Sequence, residues 1–263
     1  MQTPQQKMHF GGMSCEALIR EYGSPLYVYE EDTIRERIRD LFSAVSYEPF
    51  SAHYACKANS NMDVLRIVRE EGCSLDAVSP GEIFLALKAG FKPEQILFTG
   101  NNVTDEEMQY ALDRNVLVNI DSLSQLRRYG NLAPGTPVSI RINPDVGAGH
   151  HDHCITGGPD SKFGIYFNKT DSVLNIAAKH DLRIVGVHQH IGSGILDPDQ
   201  YILAMDVLLK AAGEFADLEF VDFGGGIGVP YAPEDQPIDI AAFGKKISDR
   251  FAGFCDSYGR KLE

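Results

Sequence analysis

A single lysine stands where an apolar run of the sequence stops. Residues 50–58 read Phe-Ser-Ala-His-Tyr-Ala-Cys-Lys-Ala, and an asparagine-rich stretch that can cap a helix follows them. This pattern predicts a strand, then Lys57 at its carboxyl end, then a helix, and α/β barrels build their sites at such strand ends. A partly desolvated lysine amine is a nucleophile that can form a Schiff base with an aldehyde. The alternative is a lysine that simply enters solvent.

Two glycine-containing turns follow later predicted strands. Residues 188–194 read His-Gln-His-Ile-Gly-Ser-Gly, and residues 222–228 read Asp-Phe-Gly-Gly-Gly-Ile-Gly. Glycines let a backbone approach a phosphate and present N–H groups to it, so each turn is a candidate anion-binding cup, the first with the Ser193 hydroxyl. A lone glycine run is equally consistent with a tight turn. Two such turns after adjacent strands favour a phosphate site, which Lys57 could face.

Two groups of histidines could do other chemistry. His188 and His190 lie two residues apart in a predicted strand, so their side chains should share a face. Three interpretations stay open for this pair: a metal site, a ring that stacks on a flat cofactor, and polar packing at the mouth of a barrel. Residues 150–153 read His-His-Asp-His, but they lie in a glycine-flanked stretch without a predicted scaffold. We therefore assign no metal to them.

Composition excludes several classes of protein. The 263 residues carry a formal net charge of −13, which argues against a nucleic-acid or acidic-membrane partner, because phosphate binding needs clustered Lys and Arg. The five cysteines are odd in number and lack a C-x-x-C pattern, which is typical of reduced thiols and predicts a cytoplasmic protein. No apolar run reaches membrane-spanning length, and residues 1–12 lack the pattern of a signal peptide.

Strands and helices alternate strictly from residue 50 onward. After the strand that leads to Lys57, the predicted strands cover residues 74–79, 96–100, 116–121, 138–142, 184–191 and 218–223. This order requires parallel strands with right-handed crossovers. A doubly wound sheet carries its glycine-rich phosphate loop after the first strand, whereas here the glycine cluster follows the seventh, which favours a β/α barrel. The barrel lacks its eighth strand, and a further predicted strand over residues 26–30 has no partner in it.

A phosphate site, a histidine that stacks on a flat ring and a Schiff-base lysine together describe pyridoxal phosphate. Seven motifs then occur in an order typical of one family: residues 54–59, 75–82, 100–102, 141–144, 161–165, 190–194 and 222–226. On these motifs, residues 15–263 resemble the diaminopimelate decarboxylases. The resemblance implies a parallel β/α barrel of the alanine racemase-like type, pyridoxal 5'-phosphate as cofactor, and a homodimer.

The resemblance also implies roles for individual residues. Lys57 would bind the cofactor aldehyde and His190 would stack on the ring, as the two catalytic residues. The expected cofactor-binding residues are Lys57, Asp76, Arg141, His190, Ser193, Gly224, Gly225 and Gly226. Lys162 matches a family position near the dimer contact, so we expect it to be structural.

The implied reaction is decarboxylation of meso-diaminopimelate to L-lysine, in lysine biosynthesis. Three alternatives remain: decarboxylation of ornithine, lysine or arginine, a non-catalytic homologue that binds pyridoxal phosphate, and a metal-dependent hydrolase that uses His188 and His190. The family continues beyond the equivalent of residue 263 with an eighth strand and a β domain. We therefore expect residues 1–30 to join that domain, residues 31–263 to form an incomplete barrel, and this chain alone to be poorly active.

Overall fold

The structure is a computed structural model that describes residues 8–147, 156–159 and 161–263. Its strands are β1 (His9–Phe10), β2 (Met13–Ser14), β3 (His53–Ala55), β4 (Ser74–Ala77), β5 (Ile96–Phe98), β6 (Leu117–Ile120), β7 (Pro137–Asn143), β8 (Ile165–Tyr166), β9 (Arg183–His188) and β10 (Phe220–Asp222). Its helices are α1 (Cys15–Tyr22), α2 (Glu31–Ala44), α3 (Met62–Glu70), α4 (Pro80–Ala89), α5 (Asp105–Leu112), α6 (Leu123–Leu132), α7 (Thr170–Lys179), α8 (Pro198–Ala212) and α9 (Ile240–Tyr258).

The main sheet has the order of a β/α barrel. Strands β3, β4, β5, β6, β7, β9 and β10 are neighbours in that order, and every pair is parallel. The short strand β8 pairs with the end of β7. The strands β6 and β7 bury alternate apolar side chains beneath the helices, namely Val118, Ile120, Val138, Ile140 and Ile142. This agrees with parallel strands that are covered on both faces, and the predicted barrel architecture is confirmed.

Local capping explains where several helices begin. Pro80 occupies the first turn of α4, and the Ser79 hydroxyl accepts a hydrogen bond from the Glu82 N–H at 3.2 Å. At the start of α5, the side chains of Thr104 and Glu107 each accept a hydrogen bond from the other residue's N–H. Both arrangements satisfy amide groups that the first turn of a helix leaves without partners. Local sequence therefore sets where these two helices begin.

The wall of the barrel is incomplete between β10 and β3. Glu263 begins a ladder on β10, since its N–H donates to the Glu219 carbonyl at 3.0 Å and its carbonyl accepts from the Val221 N–H at 2.8 Å. On its other side, the Glu263 carboxylate accepts a hydrogen bond from the Ser51 hydroxyl, two residues before β3. Glu263 thus stands where the eighth strand of a closed barrel would run.

The predicted strand over residues 26–30 is wrong for this structure. These residues form no strand, and Leu26, Tyr27, Val28 and Tyr29 are 39, 87, 37 and 58% exposed. A strand exists only where a neighbour supplies ladder hydrogen bonds, and none of the described residues does so here. That residues 1–30 join a further β domain stays a prediction. Across the described ranges, no helix combines the length and the hydropathy needed to cross a bilayer.

Candidate active site

Lys57 stands at the carboxyl end of the barrel, as the sequence predicts. Strand β3 ends at Ala55, and Lys57 lies exposed in the single 3-10 turn of residues 56–58 that follows. The Asn61 side chain caps α3 by accepting the Asp63 N–H at 2.9 Å, and the Tyr54 hydroxyl donates to the Asn59 carbonyl at 3.2 Å. The turn is therefore held from both sides, and the charge of Lys57 acts on Asp76 and His190.

Two carboxyl groups lie at the carboxyl ends of β4 and β10. Asp76, at the end of β4, is paired in register with Ala55 of the lysine strand. Burial raises the pKa of Asp76 to about 7; the nearby Asp222 carboxylate adds to the shift, and Lys57 and Arg141 oppose it. Burial likewise raises the pKa of Asp222, at the end of β10. Asp76 is thus about half protonated at neutral pH, beside the candidate nucleophile.

Arg141 supplies a fixed buried cation. It is 7% exposed near the end of β7, and its register partner is His188 of β9, which pairs in turn with Asp222 of β10. Paired positions of neighbouring strands lie on the same face of a sheet. Arg141, His188 and Asp222 therefore form a row of three polar side chains across one face of this sheet. Burial lowers the pKa of Arg141, while the carboxylates of Asp121, Asp76 and Asp222 raise it. The cation is thus compensated by several carboxyl groups around it.

The two histidines of the H-x-H motif lie at the end of β9. The strand ends at His188, and the charges of Arg141 and Lys57 act on both rings, so their shared face stays a prediction. His188 is buried, and its Nδ1 lies 3.0 Å from Nδ2 of Asn119. Burial lowers the pKa of His190 to about 4, and the charges of Arg141 and Lys57 contribute. His190 is therefore a neutral ring at pH 7, which suits stacking on a flat group.

The described part of the chain gives no support to a metal site. It contains no group of three or more His, Cys, Asp or Glu side chains placed to hold a metal ion. Within the described residues, no third side chain of these types stands with His188 and His190 as a metal site would need. The histidine cluster at 150–153 lies outside the described residues.

The two glycine turns interlock at the barrel mouth. The Ile195 N–H donates to the Gly226 carbonyl at 2.9 Å, and the Gly228 N–H donates to the Ile195 carbonyl at 2.8 Å. Gly224 and Gly226 have φ of +72° and +92°, and Cβ atoms there would lie 2.2 Å from the Gln189 carbonyl oxygen and 2.0 Å from that of Gly192. These positions therefore require glycine. The predicted adjacency of the two turns is confirmed.

Gly225 and Ser193 are the open positions of these turns. Both are exposed, and no described atom lies within 4 Å of the place that a Cβ of Gly225 would take. The turn thus leaves room for a ligand at Gly225 while its two flanking glycines fix its shape. This is the cradle that an anionic group such as a phosphate would fill.

A pair of substitutions separates these two roles. We expect Gly226→Ala to destabilise the protein by about 2 kcal/mol or more, from left-handed backbone strain and the contact with the Gly192 carbonyl. Gly225→Ala should leave the unfolding free energy nearly unchanged and weaken only the binding of a phosphate-bearing ligand. Urea denaturation measures the first effect and ligand titration the second. Equal stability of the two variants would show that the interlocking is not needed.

Sequence reasoning missed Asp121, Asn119 and Asp222 as parts of the site. Asp121 follows β6 directly and is 5% exposed, and Asn119 within that strand is fully buried. A detectable signal did exist, because each is a polar residue inside or at the end of an apolar strand. Their partners come mostly from distant parts of the chain: Asn119 meets His188 of β9, and Asp121 accepts from Asn101 and Gly164.

Comparison with known proteins now decides the family. Residues 31–262 match the family model described as "Pyridoxal-dependent decarboxylase, pyridoxal binding domain". The chain belongs to the pyridoxal-dependent decarboxylase family. Its cofactor is pyridoxal phosphate, and as a member of this decarboxylase family it carries the expected alanine racemase-like barrel.

Several relatives of this chain are named diaminopimelate decarboxylase. A diaminopimelate decarboxylase of Methanothermobacter thermautotrophicus is 51% identical over 95% of this chain and 60% of its own length. That of Bacillus subtilis is 34% identical over 98% of this chain and 63% of its own. The crystal structure of the Helicobacter pylori enzyme, complexed with L-lysine, has a TM-score of 0.85 and 33% identity, covering 90% of this chain and 63% of that one. The chain thus spans about 60% of the length of these relatives.

The residues present fit pyridoxal phosphate. The interlocked glycines enclose an open backbone position for its phosphate, and the neutral ring of His190 can lie against its pyridine. Lys57 stands exposed at the same end of the barrel, and its charge acts on both His190 and Asp76. The family assignment and the local chemistry therefore agree on one site at the barrel mouth.

Proposed function

We propose that the protein containing this chain decarboxylates meso-diaminopimelate to L-lysine. The observation that carries the proposal is the convergence of Lys57, the neutral ring of His190 and the interlocked glycine turns at one barrel mouth, in a pyridoxal-dependent decarboxylase. The choice of substrate is supported by the relatives that are named diaminopimelate decarboxylase, one of them at 51% identity.

Each residue has a distinct task in this proposal. Pyridoxal phosphate, when bound, supplies an aldehyde that reacts with amines and a ring that accepts electrons from the bond to be broken. Lys57 holds the aldehyde end, and the ring of His190 lies against the cofactor. Ser193 and the turn formed by Gly224, Gly225 and Gly226 bind the phosphate.

Asp76 and Arg141 line the pocket and set its charge. Because the pKa of Asp76 is about 7, its carboxyl can hold or release a proton at neutral pH beside the amine of Lys57. Arg141 keeps its positive charge throughout this range and stabilises negative charge that develops in the pocket. The barrel wall thus provides one group that changes protonation and one that does not.

A substrate comparison tests the proposal directly. The protein is supplied with pyridoxal phosphate, and carbon dioxide release is measured with meso-diaminopimelate, L-ornithine, L-lysine and L-arginine. We expect release from meso-diaminopimelate at a kcat/KM at least about 100-fold above the others, the discrimination that buried polar recognition supplies. A preference for L-ornithine, or no release from folded protein that carries the cofactor, would overturn the assignment.

Substitution of His190 tests the stacking role. We expect His190→Phe to retain most of the affinity for pyridoxal phosphate, since a phenyl ring offers a similar flat face. His190→Ala should weaken binding by about 2- to 10-fold, the free energy of an aromatic pair. Fluorescence titration measures both constants. Equal losses in the two variants would indicate that the imidazole nitrogens, rather than the ring face, make the contact.

We also propose that the protein acts in the cytoplasm as a homodimer. The four described cysteines, Cys15, Cys56, Cys73 and Cys255, are free thiols, which supports a reducing compartment. Light scattering at several protein concentrations measures the mass in solution. A monomer at all concentrations would contradict the dimer.

A further inference from the structure

Asp121 connects three loops at the barrel mouth. Its carboxylate Oδ1 accepts the Gly164 N–H at 3.0 Å, and Oδ2 accepts a hydrogen bond from the Asn101 side-chain amide. Its own backbone N–H donates to Oε1 of Gln125 at 2.8 Å. One buried side chain thus ties together the loops that follow β5, β6 and β7.

The same carboxylate faces the buried cation of the pocket. Nη1 of Arg141 lies 3.5 Å from Oδ1 of Asp121, and both side chains are less than a tenth exposed. On another side, the Arg141 guanidinium carbon lies 4.7 Å from the centre of the Phe163 ring. Arg141 is therefore confined between the Asp121 carboxylate and the face of the Phe163 ring. Phe163 is the residue before Gly164, whose N–H donates to the same carboxylate.

The loop of residues 161–164 has little freedom to move away. Gly164 has a φ of +77°, and a Cβ there would lie 2.9 Å from the Asn143 backbone nitrogen, so the loop rests on the end of β7. The Ser161 hydroxyl donates to the Thr156 carbonyl at 2.6 Å and accepts the Phe163 N–H at 3.2 Å. Asp121 thus acts on a loop whose backbone is already closely placed.

We propose that Asp121 is a positioning residue, whose carboxylate holds Arg141 in the wall of the cofactor pocket and ties the loop of residues 161–164 to the same point. The proposal rests on the proposed function in one respect, namely that Arg141 lines that pocket. The same carboxylate connects two of the sequence motifs. Asn101 of the Gly-Asn-Asn motif at 100–102 and Gly164 of the Ser-Lys-Phe-Gly motif at 161–164 both donate a hydrogen bond to Asp121.

Loss of the Asp121 charge should affect Arg141 more than any other residue. A buried cation that loses its partner is strongly destabilised where it stands. The other carboxyl groups that act on Arg141 are Asp76 and Asp222, and burial raises the pKa of both. Asp121 is therefore the partner that keeps Arg141 at the wall instead of inside the pocket.

Two variants separate the charge from the hydrogen bonds. Asp121→Asn removes the charge and leaves one acceptor oxygen for two donors, the Gly164 N–H and the Asn101 amide, so their two hydrogen bonds cannot both be kept. The double variant Asn101→Asp with Asp121→Asn restores the hydrogen bond between positions 101 and 121 but moves the charge to position 101. Asp105→Asn is the control, because Asp105 is 54% exposed and pairs with Arg128 at 2.7 Å, away from Arg141.

Three measurements on folded protein decide the proposal, with circular dichroism to verify folding. Phenylglyoxal modification of Arg141 and hydrogen exchange of the peptide containing Gly164 are measured without cofactor. The dissociation constant of pyridoxal phosphate is measured by fluorescence. For Asp121→Asn we expect faster Arg141 modification, faster exchange, and binding about 10- to 100-fold weaker, the range for a hydrogen bond to a charged group. The Asp105→Asn control should match the parent chain in all three.

The double variant distinguishes positioning from plain structural support. We expect it to restore slow exchange of the loop but not the protection of Arg141 or the cofactor affinity. Full recovery of all three would show that the charge beside Arg141 is unnecessary and overturn the proposal, as would unchanged Arg141 reactivity in Asp121→Asn. If the parent chain binds no pyridoxal phosphate, the proposed function fails, while the two cofactor-free measurements still decide the role of Asp121.

Discussion

Replacing Lys57 by alanine is expected to abolish both the covalent attachment of pyridoxal phosphate and decarboxylation. Lys57 is the lysine that stands in the 3-10 turn after β3, with its charge acting on Asp76 and His190. We expect kcat to fall by roughly 10⁶-fold, the scale seen when a nucleophile is removed from an enzyme.

Borohydride reduction makes this result visible without an activity assay. Reduction of the parent chain with bound cofactor should leave a pyridoxyl group on the peptide that contains Lys57, which mass spectrometry identifies. The matched control is Lys162→Ala, since Lys162 is an exposed lysine whose Nζ lies 5.1 Å from the centre of the Phe163 ring beside the same mouth. Label on a different lysine, or undiminished label in Lys57→Ala, would refute the assignment.

The loss of Lys57 should also change the electrostatics of the pocket. Its positive charge lowers the pKa of Asp76 and of His190. In Lys57→Ala the pKa of both groups should therefore rise. Nuclear magnetic resonance titration of the His190 ring measures this shift, and an unchanged value would place Lys57 further from the ring than the structure does.

Replacing Asp76 by asparagine is expected to stabilise the cofactor-free protein above neutral pH while impairing the site. Burial raises the pKa of Asp76 to about 7, and its ordinary value in an unfolded chain is about 3.9. Between these values the folded state holds more protons than the unfolded state, so the unfolding free energy falls as pH rises. At every pH above 7, the buried and ionised carboxylate of Asp76 therefore lowers the unfolding free energy of the folded protein.

The magnitude follows from linkage. Between pH 5 and pH 8 this carboxyl should remove on the order of 2 kcal/mol of unfolding free energy, and Asp76→Asn should recover that amount at pH 8. Neighbouring Asp222, Lys57 and Arg141 also act on Asp76, so the comparison with the parent chain is made at both pH values. Urea denaturation of the parent chain and of Asp76→Asn, each at pH 5 and pH 8, gives the four unfolding free energies to compare.

Asp217→Asn is the control for this experiment, since Asp217 is exposed. It should show the pH dependence of the parent chain. The same slope in Asp76→Asn would mean that Asp76 ionises normally in the folded protein. A more stable but less active Asp76→Asn variant would show that the pocket retains a carboxyl at a cost in stability, which is common at active sites.

Much of the fold could be predicted because its signals are local. The alternation of apolar runs with amphipathic stretches predicted the parallel barrel, and the capping pairs at Ser79 and Thr104 located helix starts. The glycines at 224 and 226 could likewise be assigned to a special turn from their type alone. In each case the residues that determine the structure lie within a few positions of one another, so spacing along the chain is sufficient.

Predictions that depended on a distant partner were less successful. Residues 26–30 have the composition of a strand, yet they form none, because a strand requires a neighbour with which to exchange hydrogen bonds. The predicted strand over residues 184–191 ends earlier, at His188. Pairing decides where a strand stops, and composition alone does not contain that information.

The sequence by itself determined the order of strands and helices and the lysine at a strand end. Tertiary structure alone decided which polar residues meet. The carboxylate of Asp121 contacts three residues that are far from it in the chain, namely Asn101, Arg141 and Gly164. Burial in the same place moves the pKa of Asp76 to about 7 and that of His190 to about 4. The physical reason is that charge interactions and desolvation depend on distance in space, which folding sets and sequence spacing does not.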